Sequence, residues 1–351
     1  MKISKFKQVE AALGRAIEVD RRSYLYFGGT AYLGIPKNKE FIAHYIQGIE
    51  LYGLNNGTSR NNNVQLNIYN EAEAVAATRF GAEEALITSS GYLAAQMTVR
   101  HFSSWGVVLY APATHPALWI DGNPDISSDF SKWASETVLK INEHKERRWV
   151  IVTNALNNLF PEAYDFSFIK NIDKENEVIL IIDDSHGLGV LNEGKGCLSG
   201  VPKLNNVSII VLASMAKGLG VDAGLILGSH HLIQKLKQTN EFFGASPPAA
   251  AGLYAFIKSE AIYLRELKKL NELIAYFEKN LDLHAYSHIS GFPVYLSGVK
   301  SLSQKLLEAQ VLISSFAYPD QNGELLNRIV LSSWHTMTDL DKLLDLLSAT
   351  P

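Results

Sequence analysis

The sequence predicts an α/β fold, with a mostly parallel sheet sandwiched by helices and a smaller α+β region at the C-terminal end. Two observations carry this. Five short apolar runs, Val107 to Tyr110, Trp149 to Val152, Val178 to Ile182, Val207 to Leu212 and Leu225 to Leu227, alternate with helical stretches. They are apolar throughout rather than every second residue, the mark of strands buried on both faces. Strands separated by helical patterns imply βαβ units. The second observation is a change of pattern near Ala249. A long charged helix, roughly Ala250 to Leu281, precedes short strands at Pro293 to Leu296 and Arg328 to Leu331 and an amphipathic helix from Asp339 to Leu347.

These elements suggest three segments. Residues 1–45 pack with the small domain or with a partner subunit, 46–249 form the large domain, and 250–351 form the small one. A chain of 351 residues has ample length for such a pair of cores. The net charge of −4 gives no reason to expect nucleic acid or an anionic membrane as partner. One cysteine, Cys197, excludes an intrachain disulfide and fits a reducing compartment. The first residues carry charge in every turn, unlike a signal peptide, and no apolar run approaches the roughly 18 residues that span a bilayer. The expectation is a cytoplasmic protein. No Cys/His cluster has zinc spacing, so no metal is expected.

In an open α/β sheet, ligands bind beyond the carboxyl ends of the strands. Three such ends attract attention. In VILIIDDSHG, Asp183 closes an apolar run and His186 follows three residues later. A carboxylate there needs a cation or hydrogen-bond donors, and a helix cap or structural ion pair would serve equally well. In IIVLASMAKGLG, Lys217 lies in a turn of small residues with Ser214, Gly218 and Gly220. Partial burial would lower its pKa and make the amine a nucleophile; the ordinary alternative is a surface lysine. In EEALITSSGYLAAQ, a short strand runs through Ser89, Ser90 and Gly91 into a helix. Such a start suits a phosphate, and it also suits plain capping.

Taken together and in order, six segments resemble the α-oxoamine synthase family of pyridoxal-phosphate (PLP) enzymes of fold type I, among them 8-amino-7-oxononanoate synthase and 2-amino-3-ketobutyrate CoA ligase. They are AYLGIPKNKEFIAHYIQGIELYGLNNGTSR, SSGYLAAQ, ATHPALWIDG, IIDDSHGLGVLNEGKG, ASMAKGLGVDAGLILGS and NRIVLSSWHTMTDLDKLL. The resemblance implies that Lys217 carries PLP as a Schiff base and moves protons at the substrate Cα. It implies that Asp183 pairs with the pyridine nitrogen, that His186 bonds the ring hydroxyl and that His115 stacks on the ring. Ser90, Gly91 and Tyr92 would hold the phosphate with help from Ser214. Arg328 would bind the substrate carboxylate, and Thr30 and Asn158 would stand near the substrate. A homodimer with a shared active site is implied as well.

The chain departs from the family in places. The usual Asn-Asp-Tyr-Leu-Gly reads Thr30-Ala31-Tyr32-Leu33-Gly34, a serine near the cofactor becomes Asn158, and the Phe-Ser-Thr segment reads FFGASPP, with Ser246 near the threonine position. Cofactor residues survive better than those around the acyl donor. The leading expectation is condensation of an amino acid with an acyl thioester, such as acyl-CoA, with decarboxylation to an amino ketone. The alternatives are an aminotransferase or other Cα chemistry on the same fold, and a non-catalytic binding module. A nicotinamide site fails: Gly218 to Gly224 has Gly-x-Gly-x-x-x-Gly spacing and leads into an apolar run rather than a helix.

Overall fold

The structure, a computed structural model, describes residues 6–122, 124, 129–145, 147–157, 159–318 and 323–348. The candidate residue Asn158 lies outside them. The chain divides into two units, one of residues 40–157 and 163–260, the other of residues 1–39, 158–162 and 261–351.

The first unit is built on the apolar runs. Its strands are β3 (Glu84–Thr88), β4 (Val107–Tyr110), β5 (Arg148–Asn154), β8 (Glu177–Asp183), β9 (Val207–Ser214) and β10 (Gly224–Gly228), in the order β3-β10-β9-β8-β5-β4. Its helices are α1 (Lys39–Tyr52), α2 (Ile68–Phe80), α3 (Gly91–Ser103), α4 (Phe130–Asn142), α5 (His230–Lys237), α6 (Asn240–Gly244) and α7 (Ala250–Lys258). A short ribbon joins β6 (Leu156–Asn157) to β7 (Glu162–Ala163). Val150, Val152, Ile179, Ile181, Ile210 and Leu212 pack in one buried cluster with Ala94, Met97 and Phe102 of α3 and Leu232 and Leu236 of α5. Helices on the faces explain why the strands show no alternation.

The pairs β4–β5, β5–β8 and β8–β9 are parallel, as the apolar runs predict. β10 corrects the expectation: it runs antiparallel to both β9 and β3. The reason is length. Only nine residues, Met215 to Ala223, separate β9 from β10. A parallel crossover needs a dozen or more, so the chain can only turn straight back.

The second unit has β1 (Ala16–Val19), β2 (Arg22–Phe27), β11 (Tyr286–His288), β12 (Val294–Ser297), β13 (Val311–Tyr318) and β14 (Glu324–Val330), with α8 (Glu260–Asn280), α9 (Leu302–Glu308) and α10 (Met337–Ser348). The sheet order is β1-β2-β13-β14-β12-β11, and β2 joins the C-terminal strands in parallel beside β13. The expected single helix from Ala250 to Leu281 is two helices. Ser259 leaves helical geometry (φ −107°, ψ 20°), and its N–H donates back to Phe256 O at 3.3 Å. Burial also changes there: nearly every residue of α7 is enclosed, whereas α8 buries a stripe that includes Leu267, Leu270, Ile274 and Phe277. Arg328 does not open its strand; it is the fifth residue of β14.

Candidate active site

The polar residues of interest gather at one edge of the large sheet. β5, β8 and β9 are parallel, so Asn154, Asp183 and Ser214 all emerge at the same side, and Gly224 arrives there because β10 runs the other way. Asp183 Oδ1 accepts two hydrogen bonds from Ser185, one from its N–H at 2.9 Å and one from its Oγ at 2.5 Å. Ser185 Oγ accepts the Ser214 N–H at 2.8 Å. One buried hydroxyl therefore joins the end of β8 to the end of β9.

Asn154 performs the same service on the other side. Its Oδ1 accepts the His115 N–H at 3.2 Å, and its Nδ2 donates to Ala113 O at 2.6 Å. Ala113 sits at φ 53°, a left-handed conformation that L-residues avoid, so this clamp holds a strained turn. His115 Nδ1 accepts the Ala117 N–H at 3.2 Å. In the neutral ring the proton is then on Nε2. Although part of His115 reaches the surface, the atoms packed round the ring push its pKa down, Asp183 pulls it up, and Lys217 pushes it down further. Asp183 and Lys217 thus both lie within electrostatic reach of His115.

Lys217 is partly buried in the turn between β9 and β10, whose base is closed by Met215 N–H donating to Ala223 O at 2.9 Å. The loop after Asp183 presses on this turn: a Cβ on Gly218 would stand 2.7 Å from Leu188 O. That loop carries His186, also partly buried, and it wraps round Asp184. Asp184 Oδ2 accepts the Cys197 N–H at 2.6 Å, and side chains at Gly187 or Gly196 would collide with its carboxylate oxygens. Burial raises the Asp184 pKa to about 7, with Asp183 adding to the rise and the Cys197 N–H opposing it.

The remaining predicted cofactor residues form a cradle beside Ser214. Ser90 caps α3, its Oγ accepting the Leu93 N–H at 3.1 Å, and its carbonyl accepts from Ala94 at 3.0 Å. The N–H groups of Gly91 and Tyr92 belong to the first turn and have no intrahelical acceptor. A Cβ on Gly91 would stand 2.6 Å from Ser214 Cβ, and one on Gly224 would stand 2.1 Å from Ser90 O. Only glycine fits at either place. Arg60, from the Gly-x-Ser-Arg motif, forms a buried ion pair with Glu73 at 2.8 Å, and Glu73 also accepts the Ile87 N–H of β3 at 3.1 Å. Thr58 and Ser59 of that motif, with Asn55, Asn56 and Ser246, line a polar cavity of about 380 Å³.

Arg328 and Thr30 belong to the second unit. Arg328 is buried, with its guanidinium 5.5 Å from the Phe316 ring centre. Burial lowers its pKa, and the phenols of Tyr32 and Tyr26 act against that. Thr30 follows β2 and is partly buried.

Ser185, Gly224 and the clamping role of Asn154 escaped the reading of the sequence. Ser185 stood between Asp183 and His186 and could have been suspected. Gly224 stood only as the end of a glycine-rich run, and nothing local marks Asn154, because its partners lie far away in the chain. Among the described residues, no group of three or more His, Cys, Asp or Glu is placed to hold a metal ion, and no helix is long and apolar enough to cross a membrane.

Comparison with known proteins agrees with this arrangement. The profile of "Aminotransferase class I and II" matches residues 123–347. The 8-amino-7-oxononanoate synthase of Hahella chejuensis is 26% identical, covering 94% of this chain and 88% of its own. A putative 8-amino-7-oxononanoate synthase of Methanococcus vannielii is 27% identical, with 90% and 89% covered. Among solved structures, a serine palmitoyltransferase variant from S. paucimobilis, with a bound PLP–myriocin aldimine, superposes with a TM-score of 0.81 at 13% identity, covering 97% of this chain and 91% of that one. The 8-amino-7-oxononanoate synthase of Francisella tularensis gives 0.69 at 16% identity, with 93% and 97% covered. The fold is that of the type I PLP enzymes. This chain belongs to the aminotransferase class I and II family, and within it to the α-oxoamine synthases that its motifs resemble.

Proposed function

We propose that this protein is a PLP-dependent C-acyltransferase that condenses an amino acid with an acyl thioester, releasing carbon dioxide and the thiol and leaving an amino ketone. The observation that carries the reading is the gathering of His115, Asp183 and Lys217 at one sheet edge, beside the N-terminus of α3. The cradle fits the cofactor's phosphate. It is a helix N-terminus whose first N–H groups have no intrahelical acceptor, held close against Ser214 and β10 by two glycines at which a Cβ would collide.

PLP, when bound, supplies an electron sink for a carbanion at the amino-acid Cα. The chain's own residues do the rest. Lys217 offers the amine that holds the cofactor aldehyde and then carries the Cα proton. Asp183, fixed by two bonds from Ser185, keeps a proton on the pyridine nitrogen. His186 donates to the ring hydroxyl and His115 covers the ring face. Ser90, Gly91, Tyr92 and Ser214 hold the phosphate. Arg328 takes the substrate carboxylate in a two-point grip, with Thr30 and Asn158 near the substrate. In the net reaction the Cα–carboxylate bond breaks and Cα bonds to the acyl carbon; the proton first taken from Cα is replaced once carbon dioxide has left, and the departing thiolate takes up a proton.

The same reading makes the protein a cytoplasmic homodimer. Ile42, Tyr45 and Ile46 are exposed at helical spacing on α1, and Leu51 and Leu54 continue the apolar surface. A partner subunit would cover them, and Ser246 would serve the partner's phosphate.

The experiment is a set of amino acids supplied with and without acyl-CoA. Thiol release that requires both substrates supports acyl transfer. A 2-oxo acid formed without thioester would replace this reading with transamination, an activity named in the description of the matching family.

A further inference from the structure

The face of the small sheet that carries Arg328 carries a second polar group that the reading above leaves unused. β2 and β13 pair Tyr26 with Leu312, and β13 and β14 pair Ser314 with Arg328. Paired residues share a face, and so do residues two apart on one strand. Tyr26, Ser314 and Arg328 therefore stand in one row on one side of the sheet. Tyr26 and Arg328 are close enough to bias each other's ionisation.

Hydrogen bonds tie that row together. The Gly29 N–H donates to Ser314 Oγ at 3.1 Å. The Ser314 hydroxyl also bonds the Tyr26 phenol, and burial raises the phenol's pKa, which keeps its proton in place at neutral pH. A serine hydroxyl has one proton. A phenol oxygen can accept that proton and still donate its own, so Tyr26 has the capacity for a further acceptor. The backbone makes room for this. A Cβ on Gly28 would stand 2.6 Å from Tyr26 Cε2 and 2.9 Å from Ser314 Oγ, and Gly29 has φ +77°. Two glycines let the ring lie back over the chain that follows it.

We propose that Tyr26 is a second carboxylate-recognition residue, its O–H donating to the substrate carboxylate that Arg328 grips, with Ser314 fixing the direction of that donor. The proposal rests on the reading of Arg328 as the carboxylate site. It makes the pair a selector for ligands with a free α-carboxylate: a carboxamide offers one weaker acceptor oxygen and no charge.

The test uses the PLP-loaded enzyme, with binding followed by cofactor absorbance and by calorimetry. Glycine, L-alanine and L-serine are each compared with their carboxamides. Y26F should weaken the amino acid about tenfold, the worth of one hydrogen bond to a charged group, and leave its carboxamide within about twofold. S314A should move the same ratio in the same direction by less, about threefold, and it repeats the test should Y26F fail to load cofactor. An unchanged ratio of acid to amide in both variants overturns the proposal. R328Q separates the two layers. If it leaves amino-acid binding unchanged, the Arg328 reading fails; if it weakens binding while the Tyr26 and Ser314 variants do not, only Tyr26 is dismissed.

Discussion

The large sheet presents its functional groups at strand ends, whereas the small sheet presents them from a strand's interior. Asp183, Asn154 and Ser214 stand where parallel strands stop, and loops must be tied together before these groups face one another. Arg328 needs no such ties, because register with β13 and β12 alone decides its face. The first design depends on single buried hydrogen bonds between distant segments. The second depends on strand pairing, which many bonds share.

Mutations sharpen this contrast, and the largest effect belongs to the strand-end cluster. Lys217→Ala should lower turnover by on the order of 10²–10⁴, the usual weight of a positioned proton carrier, and abolish the absorbance of a cofactor joined to the chain. Next come two buried substitutions with opposite consequences. Asn327 is the immediate neighbour of Arg328 but points to the opposite face. There its Nδ2 donates to Val299 O at 3.0 Å, and its Oδ1 accepts from Ser315 Oγ at 2.8 Å. Asn327→Ala should cost about 1–3 kcal/mol of stability in denaturant titration while the acid-to-amide binding ratio holds. Ser185→Ala should do the reverse, weakening cofactor binding about tenfold with a smaller loss of stability. If Ser185→Ala binds cofactor as the wild type does, the hydroxyl bridge is not what aligns β8 with β9.

The smallest effect concerns pH. Asp184 in one unit and His335 in the other are both buried and titratable, and they respond oppositely. The Asp184 pKa rises to about 7, so the folded state holds its proton more tightly than the unfolded chain, and this contribution to stability declines as pH rises from about 4 to 7. The pKa of His335, stacked on Phe27 at 4.3 Å, falls to about 4, so its contribution is present above about pH 6.5 and declines as pH falls towards 4. Asp184→Asn should therefore flatten the fall in melting temperature between pH 5 and 8 by roughly a few degrees, and His335→Gln should flatten the fall between pH 6.5 and 4. Parallel melting curves for wild type and variant would remove either group from the account.

How far the sequence carried the interpretation follows the same division. Continuous apolar runs marked the central strands, and the residues that ended them were the ones worth naming. Direction was harder. Leu225 to Leu227 looks like its parallel neighbours, and only the nine-residue spacing from β9 betrays the reversal. The break at Ser259 is local, but serine alone is too weak a signal. The ties at Asn154 and Ser185 span about thirty to forty positions of sequence, to Ala113, His115 and Ser214. No local pattern encodes such contacts. They arise only once the sheet has brought the segments side by side.

The short return from β9 to β10 also limits how far the amine can wander. Both ends of that span are stitched into adjacent strands, so Lys217 rides on a taut tether whose ordering costs little entropy at the moment of folding. Lengthening the span by even a few residues would hand the slack directly to the Lys217 side chain, turning a fixed reach into a search.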